Sequence, residues 1–165
     1  MNKQLYIDFD GVILDTIDVC YKMIADRQIE RSETEKVETF FKELDWSEII
    51  DTTPVINDSI NEIRKICDSN KFNIFILTHV YSTNEMVSKI SFINKYLPEI
   101  TVVSVPKALS KTDVVYPEGA ILIDDYSGNL KDWEEKGGQA VKFVKEKENG
   151  KYIEITRLSE IINIF

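Results

Sequence analysis

The sequence is short of the residues that mark disordered, fibrous and disulfide-rich chains. Its 165 residues include six Gly, four Pro and two Cys. So little Gly and Pro excludes a collagen-like or low-complexity chain, and two Cys exclude a disulfide framework. Because 43% of the residues are hydrophobic and 30% are charged, the composition is that of one globular domain with room for a small inserted subdomain.

Positive charge is scarce as well. Twenty Lys and Arg residues stand against 29 Asp and Glu residues, which gives a net charge of −9. This excess of negative charge opposes binding to the phosphate backbone of DNA or RNA, so we expect no nucleic-acid polymer among the partners.

Long apolar segments are missing too. No apolar run approaches the roughly 18 residues of a membrane span, and Asp8 comes too early for the apolar core of a secretory signal. The two cysteines, Cys20 and Cys67, are far apart in the chain and are expected to be reduced, partly buried thiols. These features favour a cytoplasmic protein without membrane partners, and we expect a monomer or homodimer.

Apolar runs of strand length alternate with longer amphipathic segments, which is typical of a parallel sheet with helical crossovers. Helices are predicted over residues 56–68 and 83–96, with a short closing helix in the last residues. In the second helix, Met86, Val87, Ile90 and Ile93 are spaced to form one buried face. The predicted strands are residues 5–10, 73–78, 101–105, 120–124 and 140–144, and a hairpin loop over residues 145–151 leads to a strand-like segment at 152–156.

The segment between the first strand and Pro54 is too long for a simple crossover. It has about forty residues, with helices predicted over 18–28 and 33–44, whereas a crossover needs only about a dozen. The surplus predicts a small helical cap inserted after the first strand. We therefore expect a Rossmann-like α/β core from residues 1–14 and 55–165, with helices on both faces, and a cap from residues 15–54.

Polar side chains follow the predicted strands, and open parallel sheets bind ligands beyond the carboxyl ends of their strands. Asp8 and Asp10, at i and i+2, leave the strand on the same side and repel each other unless a cation or a shared proton relieves them. Mg²⁺ meets that need, and a further oxygen ligand is available from Asp124. The complete set of candidate residues is Asp8, Asp10, Thr78, His79, Lys107, Lys111, Asp124 and Asp125.

The same residue types suit phosphoryl transfer. The Asp8 carboxylate can attack phosphorus to form an aspartyl phosphate, while Asp10 protonates the leaving oxygen and then activates water. A lysine neutralises the developing charge. The hydroxyl and amide of Thr78, together with the backbone amide around Gly11, can bind the nonbridging oxygens.

Three motifs resemble those of the haloacid dehalogenase-like (HAD) phosphatases, in the same order. They are D-F-D-G-V-I-L-D-T at residues 8–16, I-L-T at 76–78 and I-L-I-D-D at 121–125. The resemblance implies that Asp8 is the nucleophile and Asp10 the general acid and base. It also implies a Mg²⁺ ion held by the carboxylates of Asp8 and Asp124 and the backbone carbonyl of Asp10, with Asp125 supporting the metal site and Thr78 binding phosphate.

Residues 122–143 resemble the 5′(3′)-deoxyribonucleotidase-like branch of that superfamily. This second resemblance implies a nucleotide substrate and a phosphate contact from Lys89, and His79 stands where the branch often has serine or alanine beside the phosphate. For the third motif, Lys111 is preferred over Lys107 because K-T-D-V resembles the lysine context of the branch, which leaves Lys107 as a rim residue. The aromatic candidates for packing on a base are Tyr21, Phe40, Phe41 and Trp46.

The sequence thus predicts a Mg²⁺-dependent phosphatase acting on a small phosphomonoester, with a (deoxy)nucleoside monophosphate as the favoured substrate. Two alternatives stay open: a HAD phosphatase or phosphomutase acting on a sugar phosphate or another small metabolite, and a non-catalytic phosphate-binding or signalling module. Asp10 argues against a dehalogenase, which needs only the nucleophile. The order D-x-D, then D-D, disfavours a receiver-like domain.

Overall fold

Six parallel strands form a single sheet in the computed structural model, which describes residues 2–165. Along the sheet the order is β3-β2-β1-β4-β5-β6, and every neighbouring pair is parallel. The predicted α/β sheet is confirmed. The strands are β1 (Lys3–Ile7), β2 (Phe72–Val80), β3 (Thr101–Pro106), β4 (Ile121–Asp124), β5 (Gln139–Phe143) and β6 (Ile153–Ile155).

Helices cover both faces of the sheet, as predicted. Alternating strand residues point to opposite faces, so Leu5 and Ile7 pack into one apolar cluster and Tyr6 into the other. The first cluster takes in α4 (Ser59–Asp68), α5 (Thr83–Tyr96) and α7 (Ile161–Ile164). The second is covered by α6 (Ser127–Glu135), through Leu130 and Trp133.

Three helices lie between β1 and α4, where the sequence predicted two. They are α1 (Thr16–Asp26), α2 (Thr34–Glu43) and α3 (Trp46–Thr52), and they share an apolar cluster of their own. The third helix is separate because Leu44 is extended, with ψ 140°, and the Asp45 side chain accepts the Ser47 N–H to begin a new helix. The division into core and cap remains a prediction at this point.

The loop before β6 differs from the predicted hairpin. β6 pairs with β5 in parallel, with Val141 opposite Ile153, so the chain must return along the sheet before β6 begins. The Glu154 carboxylate accepts the N–H groups of Glu148, Asn149 and Gly150, and these bonds hold the returning loop. The hairpin prediction was wrong because nothing in a polar seven-residue loop distinguishes a turn from such a return.

Element ends shift where local backbone geometry overrides the apolar pattern. β1 ends at Ile7, earlier than predicted. Helix α4 begins at Ser59 because Asn57 and Asp58 have left-handed φ angles of 45° and 60°, which an α-helix does not tolerate. Ile56, which precedes the helix, is nevertheless buried.

The two cysteines are free thiols that differ in exposure. Cys20 is buried, Cys67 is half-buried, and neither forms a disulfide within residues 2–165. Burial raises the pKa of the Cys20 thiol to about 12, which makes it unreactive.

None of the described helices has the length and apolar composition that crossing a membrane requires.

Glu62 ties the C-terminal segment to helix α4. Its side chain is fully enclosed, and its carboxylate accepts bonds from Arg157 Nη2 at 2.6 Å, Lys65 Nζ at 2.6 Å and the Ser159 hydroxyl. Burial opposes ionisation of Glu62, but the bonds from Arg157, Lys65 and Ser159 outweigh it and lower the pKa to about 2. The ionised form of Glu62 therefore stabilises the fold.

Replacing Glu62 by Gln is expected to lower the free energy of unfolding by about 2 kcal/mol near neutral pH, because the bonds to the carboxylate are charge-assisted. A lowered pKa contributes stability above the unfolded-state pKa, and this contribution is lost as the pH falls toward about 2. The difference between wild type and Glu62→Gln should thus stay constant above about pH 5 and shrink between about pH 5 and about pH 2 in urea unfolding. The exposed Glu99→Gln is the control, and a difference that stays constant with pH would contradict this account.

Candidate active site

The candidate residues gather where the strand order changes direction. The chain runs from β1 outward to β2 and β3, then returns to place β4 on the other side of β1. Ligands bind at such a switch point, beyond the carboxyl ends of the strands. Asp8 and Asp10 follow β1, Thr78 lies near the end of β2, and Asp124 is the last residue of β4.

Three carboxylates meet at this edge. One oxygen each from Asp8, Asp124 and Asp125 lies within 4.8 Å of the others. Burial raises the pKa of Asp8 to about 8, and the carboxylates of Asp124, Asp10 and Asp125 add to the rise, against the opposing effect of Lys111. Burial likewise raises the pKa of Asp125 to about 7, helped by Asp124 and Asp10. The cluster holds more negative charge than its protein neighbours offset.

Lys111 is the cation that the structure places in this cluster. Its Nζ lies 2.8 Å from Asp8 Oδ1 and 2.6 Å from Asp124 Oδ2, and its side chain is buried. It opens a short 3-10 helix, Lys111–Asp113, whose first turn is fixed by reciprocal bonds between Ser110 and Asp113. Lys107, by contrast, lies with its Nζ 5.7 Å from the centre of the Tyr81 ring. The geometry therefore favours Lys111 for the predicted third motif.

Asp124 is fixed by two further donors that the sequence analysis did not single out. The Tyr126 N–H reaches Asp124 Oδ1 at 2.9 Å, and Asn129 Nδ2 reaches Oδ2 at 2.9 Å. Asn129 lies in the first turn of α6, so the start of this helix orients the acidic cluster. The signal was present in D-D-Y-S-G-N, because a two-residue turn after a strand-end aspartate brings the first turn of the following helix close to it.

The donor set fits a hard divalent cation. All three clustered ligands are carboxylate oxygens, which Mg²⁺ prefers. Burial is the main cause of the raised pKa of Asp8 and of Asp125, and the neighbouring carboxylates add a repulsion that a bound cation would relieve. Asp125 is close enough to Asp8 and Asp124 to be a metal ligand itself, whereas the resemblance implied that it only supports the ligands. The residues that could hold Mg²⁺ are thus Asp8, Asp124 and Asp125, with the Asp10 carbonyl remaining a prediction.

Asp10 lies in a second cluster beside the first. The Thr16 hydroxyl donates to Asp10 Oδ1 at 2.7 Å, and the Lys89 ammonium is bonded to Asp10 Oδ2. The Thr78 hydroxyl lies 3.4 Å from Asp10 Oδ2. Thr16, the first residue of α1, therefore connects the helical insertion directly to Asp10.

Lys89 occupies the buried side of α5, where the sequence analysis expected an apolar stripe. The residues that α5 buries are Glu85, Lys89 and Ile93, whereas Val87 is 52% exposed. The expected burial of Val87 was wrong because the helix turns its charged pair inward to meet Asp10. The spacing of Glu85 and Lys89, at i and i+4, indicates an ion pair on one face of the helix, but the sequence does not show that this face is the buried one.

His79 helps to hold the loop that carries Lys111. Burial lowers the pKa of His79 to about 4, with Lys111 and Lys107 adding to the effect, so the ring is neutral. A carbonyl can only accept, so the ring Nε2 donates to the Leu109 oxygen at 3.0 Å. His79 also lines the cavity above the acidic cluster.

A cavity of about 380 Å³ opens onto the acidic residues. Asp8, Asp10 and Asp125 line it, and so does Lys107. Phe40, although adjacent in sequence to a lining residue, packs among the helices of the insertion instead. The aromatic residues that line the cavity are Tyr21, Phe41, Trp46, Tyr81 and Tyr126.

Comparisons with known proteins bear on the fold. No protein-family model matches the chain, and no curated protein matches it by sequence. A HAD-superfamily hydrolase of subfamily IA from Geobacter sulfurreducens matches with a TM-score of 0.63 at 15% identity, over 100% of both chains. The HAD-hydrolase YfnB from Bacillus subtilis, solved with magnesium, matches with a TM-score of 0.66 at 14% identity, over 99% of this chain and 98% of that one.

A phosphatase is also among the similar structures. The D,D-heptose 1,7-bisphosphate phosphatase from B. bronchiseptica, solved with magnesium and phosphate, matches with a TM-score of 0.60 at 9% identity, over 98% of this chain and 97% of that one. These similarities show that the chain has the fold of the HAD-superfamily hydrolases.

Gly11 makes room for Asp125. Its φ is +73°, and a Cβ built at this position would lie 2.4 Å from Asp125 Oδ2. The Gly11 N–H donates to the Leu14 carbonyl at 2.8 Å, so this amide is already bonded within the loop. Only a residue without a side chain allows Asp125 to approach the cluster this closely.

Gly11→Ala should therefore displace Asp125 in addition to straining the backbone. Gly119→Ala is a matched control, because Gly119 has the same φ of +73° and open space around its Cβ position. We expect both variants to lose about 1 kcal/mol from backbone strain, with a further loss in Gly11→Ala alone. Calorimetry should show Mg²⁺ binding to Gly119→Ala and at least about tenfold weaker binding to Gly11→Ala. Equal stability and equal Mg²⁺ affinity in the two variants would refute the packing argument.

Proposed function

We propose that this protein is a Mg²⁺-dependent phosphatase that hydrolyses a small phosphomonoester through an aspartyl-phosphate intermediate. The observation that carries the proposal is that Asp8 and Asp10 line one cavity, each in contact with its own buried lysine. Two carboxylates in different surroundings suit two different roles, one as nucleophile and one as acid and base.

The first step forms a bond between an Asp8 carboxylate oxygen and phosphorus while the bond from phosphorus to the leaving oxygen breaks. Asp10 gives its proton to that leaving oxygen. In the second step water attacks phosphorus, its proton passes to Asp10, and the bond to Asp8 breaks to release phosphate. Both carboxylates then return to their starting states, so the cycle balances.

The remaining polar groups bind and neutralise the phosphoryl group. The Lys111 ammonium, already 2.8 Å from Asp8 Oδ1, offsets charge where the bond to phosphorus forms. The Thr78 hydroxyl and the backbone amides around Gly11 are proposed ligands of the nonbridging oxygens. A Mg²⁺ ion held by Asp8, Asp124 and Asp125 would supply Lewis-acid stabilisation of phosphoryl oxygens.

The similar structures support this proposal. One is a bisphosphate phosphatase that was solved with magnesium and phosphate, and another is a hydrolase bound to magnesium. These structures and this chain share a fold, and the acidic cluster of this chain lies at the carboxyl edge of the sheet. Hydrolysis at this edge is therefore the simplest use of the cluster.

The helices α1 to α3 are proposed to act as a cap that comprises residues 15–54. Tyr21, Phe41 and Trp46 from this segment line the cavity together with Tyr81 from the core. Phe41 and Tyr81 stack with their ring centres 4.8 Å apart and their planes 10° apart. The cap thus joins the core in an aromatic wall beside the acidic residues.

A (deoxy)nucleoside monophosphate is the proposed substrate because a planar base complements this wall. Each base–aromatic contact contributes about 1–3 kcal/mol in other proteins, whereas a sugar phosphate offers no flat apolar surface. Lys107 lies over the Tyr81 ring at the rim and adds positive charge on the approach of an anionic substrate to an acidic protein.

Turnover should depend on both aspartates and on Mg²⁺. Phosphate release from a panel of nucleoside monophosphates, sugar phosphates and a chromogenic ester is expected with Mg²⁺ and not with EDTA. Asp8→Asn should abolish release, and Asp10→Asn should slow it by about 10²-fold or more without loss of folding. Near-normal turnover by Asp8→Asn, in a sample checked for contamination and deamidation, would exclude the covalent mechanism.

The two adjacent phenylalanines test the nucleotide assignment. Phe41 lines the cavity and Phe40 does not, so Phe41→Leu should lower kcat/KM for a nucleoside monophosphate by about tenfold and leave ribose 5-phosphate within about twofold. Phe40→Leu is the matched control, in which the ratio between the two substrates should stay that of wild type. Equal losses on both substrates in Phe41→Leu would contradict base stacking.

A further inference from the structure

We propose that Lys89 is a positioning residue that fixes the Asp10 carboxylate, and that it is not a ligand of the substrate phosphate. This inference rests on the proposed phosphatase function, because it assigns Lys89 a part in the proton transfers made by Asp10. The resemblance to nucleotidases implied a phosphate contact for Lys89, but its surroundings in the structure favour the positioning role.

The ammonium of Lys89 has no capacity left for a phosphate. It carries three N–H donors, and four oxygens lie within hydrogen-bond distance of it. They are Asp10 Oδ2, Glu85 Oε1 at 2.6 Å, His79 O at 2.9 Å and Thr78 Oγ1 at 3.1 Å. The side chain is fully buried, and Lys89 does not line the cavity.

The position of Lys89 is itself fixed from several sides. Glu85, one helical turn earlier on α5, is anchored because its carboxylate accepts the Tyr81 N–H at 2.6 Å. The rings of Phe9 and Trp46 lie with their centres 5.4 Å and 5.1 Å from the Lys89 Nζ. An ammonium enclosed in this way by carboxylates and aromatic rings has one available geometry.

That geometry determines where Asp10 points. Asp10 follows β1 and reaches the cavity with only 15% of its side chain exposed, while Lys89 binds its Oδ2 and Thr16 binds its Oδ1. Both oxygens are thus oriented by donors outside the cavity. Proton transfer is sensitive to the placement of the acid, so loss of Lys89 should affect the steps in which Asp10 moves a proton and spare the binding of phosphate.

The test is the double variant Lys89→Met with Glu85→Gln, which removes the ammonium without leaving Glu85 as an unpaired buried charge. An alkyl ester such as a nucleoside monophosphate needs a proton at its leaving oxygen, whereas p-nitrophenyl phosphate has a good leaving group and needs little help. The value of kcat/KM reports the first chemical step, so it should fall by about 10²-fold for the alkyl ester and by about threefold or less for p-nitrophenyl phosphate. The inhibition constant of inorganic phosphate should change by about twofold or less, within the ordinary scatter of a surface substitution.

Controls and alternative outcomes separate this inference from the function on which it rests. Lys95→Met, an exposed lysine on the same helix, should leave all three values unchanged. Equal losses on both esters, or phosphate inhibition weakened by about tenfold, would overturn the positioning role. If the double variant does not fold, the single variant Glu85→Gln, which loosens Lys89, is measured instead. An unchanged ratio of the kcat/KM values for the two esters would then overturn the inference. A wild-type protein that hydrolyses no phosphomonoester would overturn the proposed function as well.

Discussion

The concentration of buried carboxylates at the carboxyl edge of the sheet is the constraint on which the rest of the site depends. Asp8, Asp10, Asp124, Asp125 and Glu85 face two buried lysines, Lys89 and Lys111. Burying like charges together is unfavourable unless cations and donors compensate. Each lysine contacts two carboxylates, so carboxylates outnumber lysines, and a divalent cation held by Asp8, Asp124 and Asp125 would offset part of the excess.

Much of the surrounding architecture serves to hold these charges in place. The start of α6 orients Asp124 through the Tyr126 N–H and Asn129, and a glycine at position 11 lets Asp125 come close. On the other side, α5 buries a charged pair in place of an apolar stripe. Burying charged groups here costs stability but fixes their arrangement, as is common at functional sites. Contacts elsewhere, such as those of Glu62 with the C-terminal segment, stabilise the fold.

The sheet and the acidic residues could be predicted from sequence because apolar strands alternate with helices and because aspartates follow them at the strand ends. Asp8, Asp10 and Asp124 were found in this way, and Lys111 was preferred because K-T-D-V resembles the lysine context of the nucleotidase branch. Three features could not be predicted: the burial of Lys89, its ion pair with Glu85, and the parallel pairing of β6. Each depends on which neighbour a polar group meets after folding. A lysine on an amphipathic helix is exposed in most proteins, and here the buried contacts of Lys89 with Asp10 and Glu85 reverse that expectation.

The central claim, that Asp8 carries the phosphoryl group, is tested most directly by trapping the intermediate. Protein quenched during turnover of a phosphomonoester with Mg²⁺ would be reduced with borohydride, digested and analysed by mass spectrometry. The account predicts that Asp8 is converted to homoserine, and that this product accumulates further in Asp10→Asn, where hydrolysis of the intermediate is slow. A protein that turns over substrate without modification of Asp8, or with modification at another aspartate, would contradict the account.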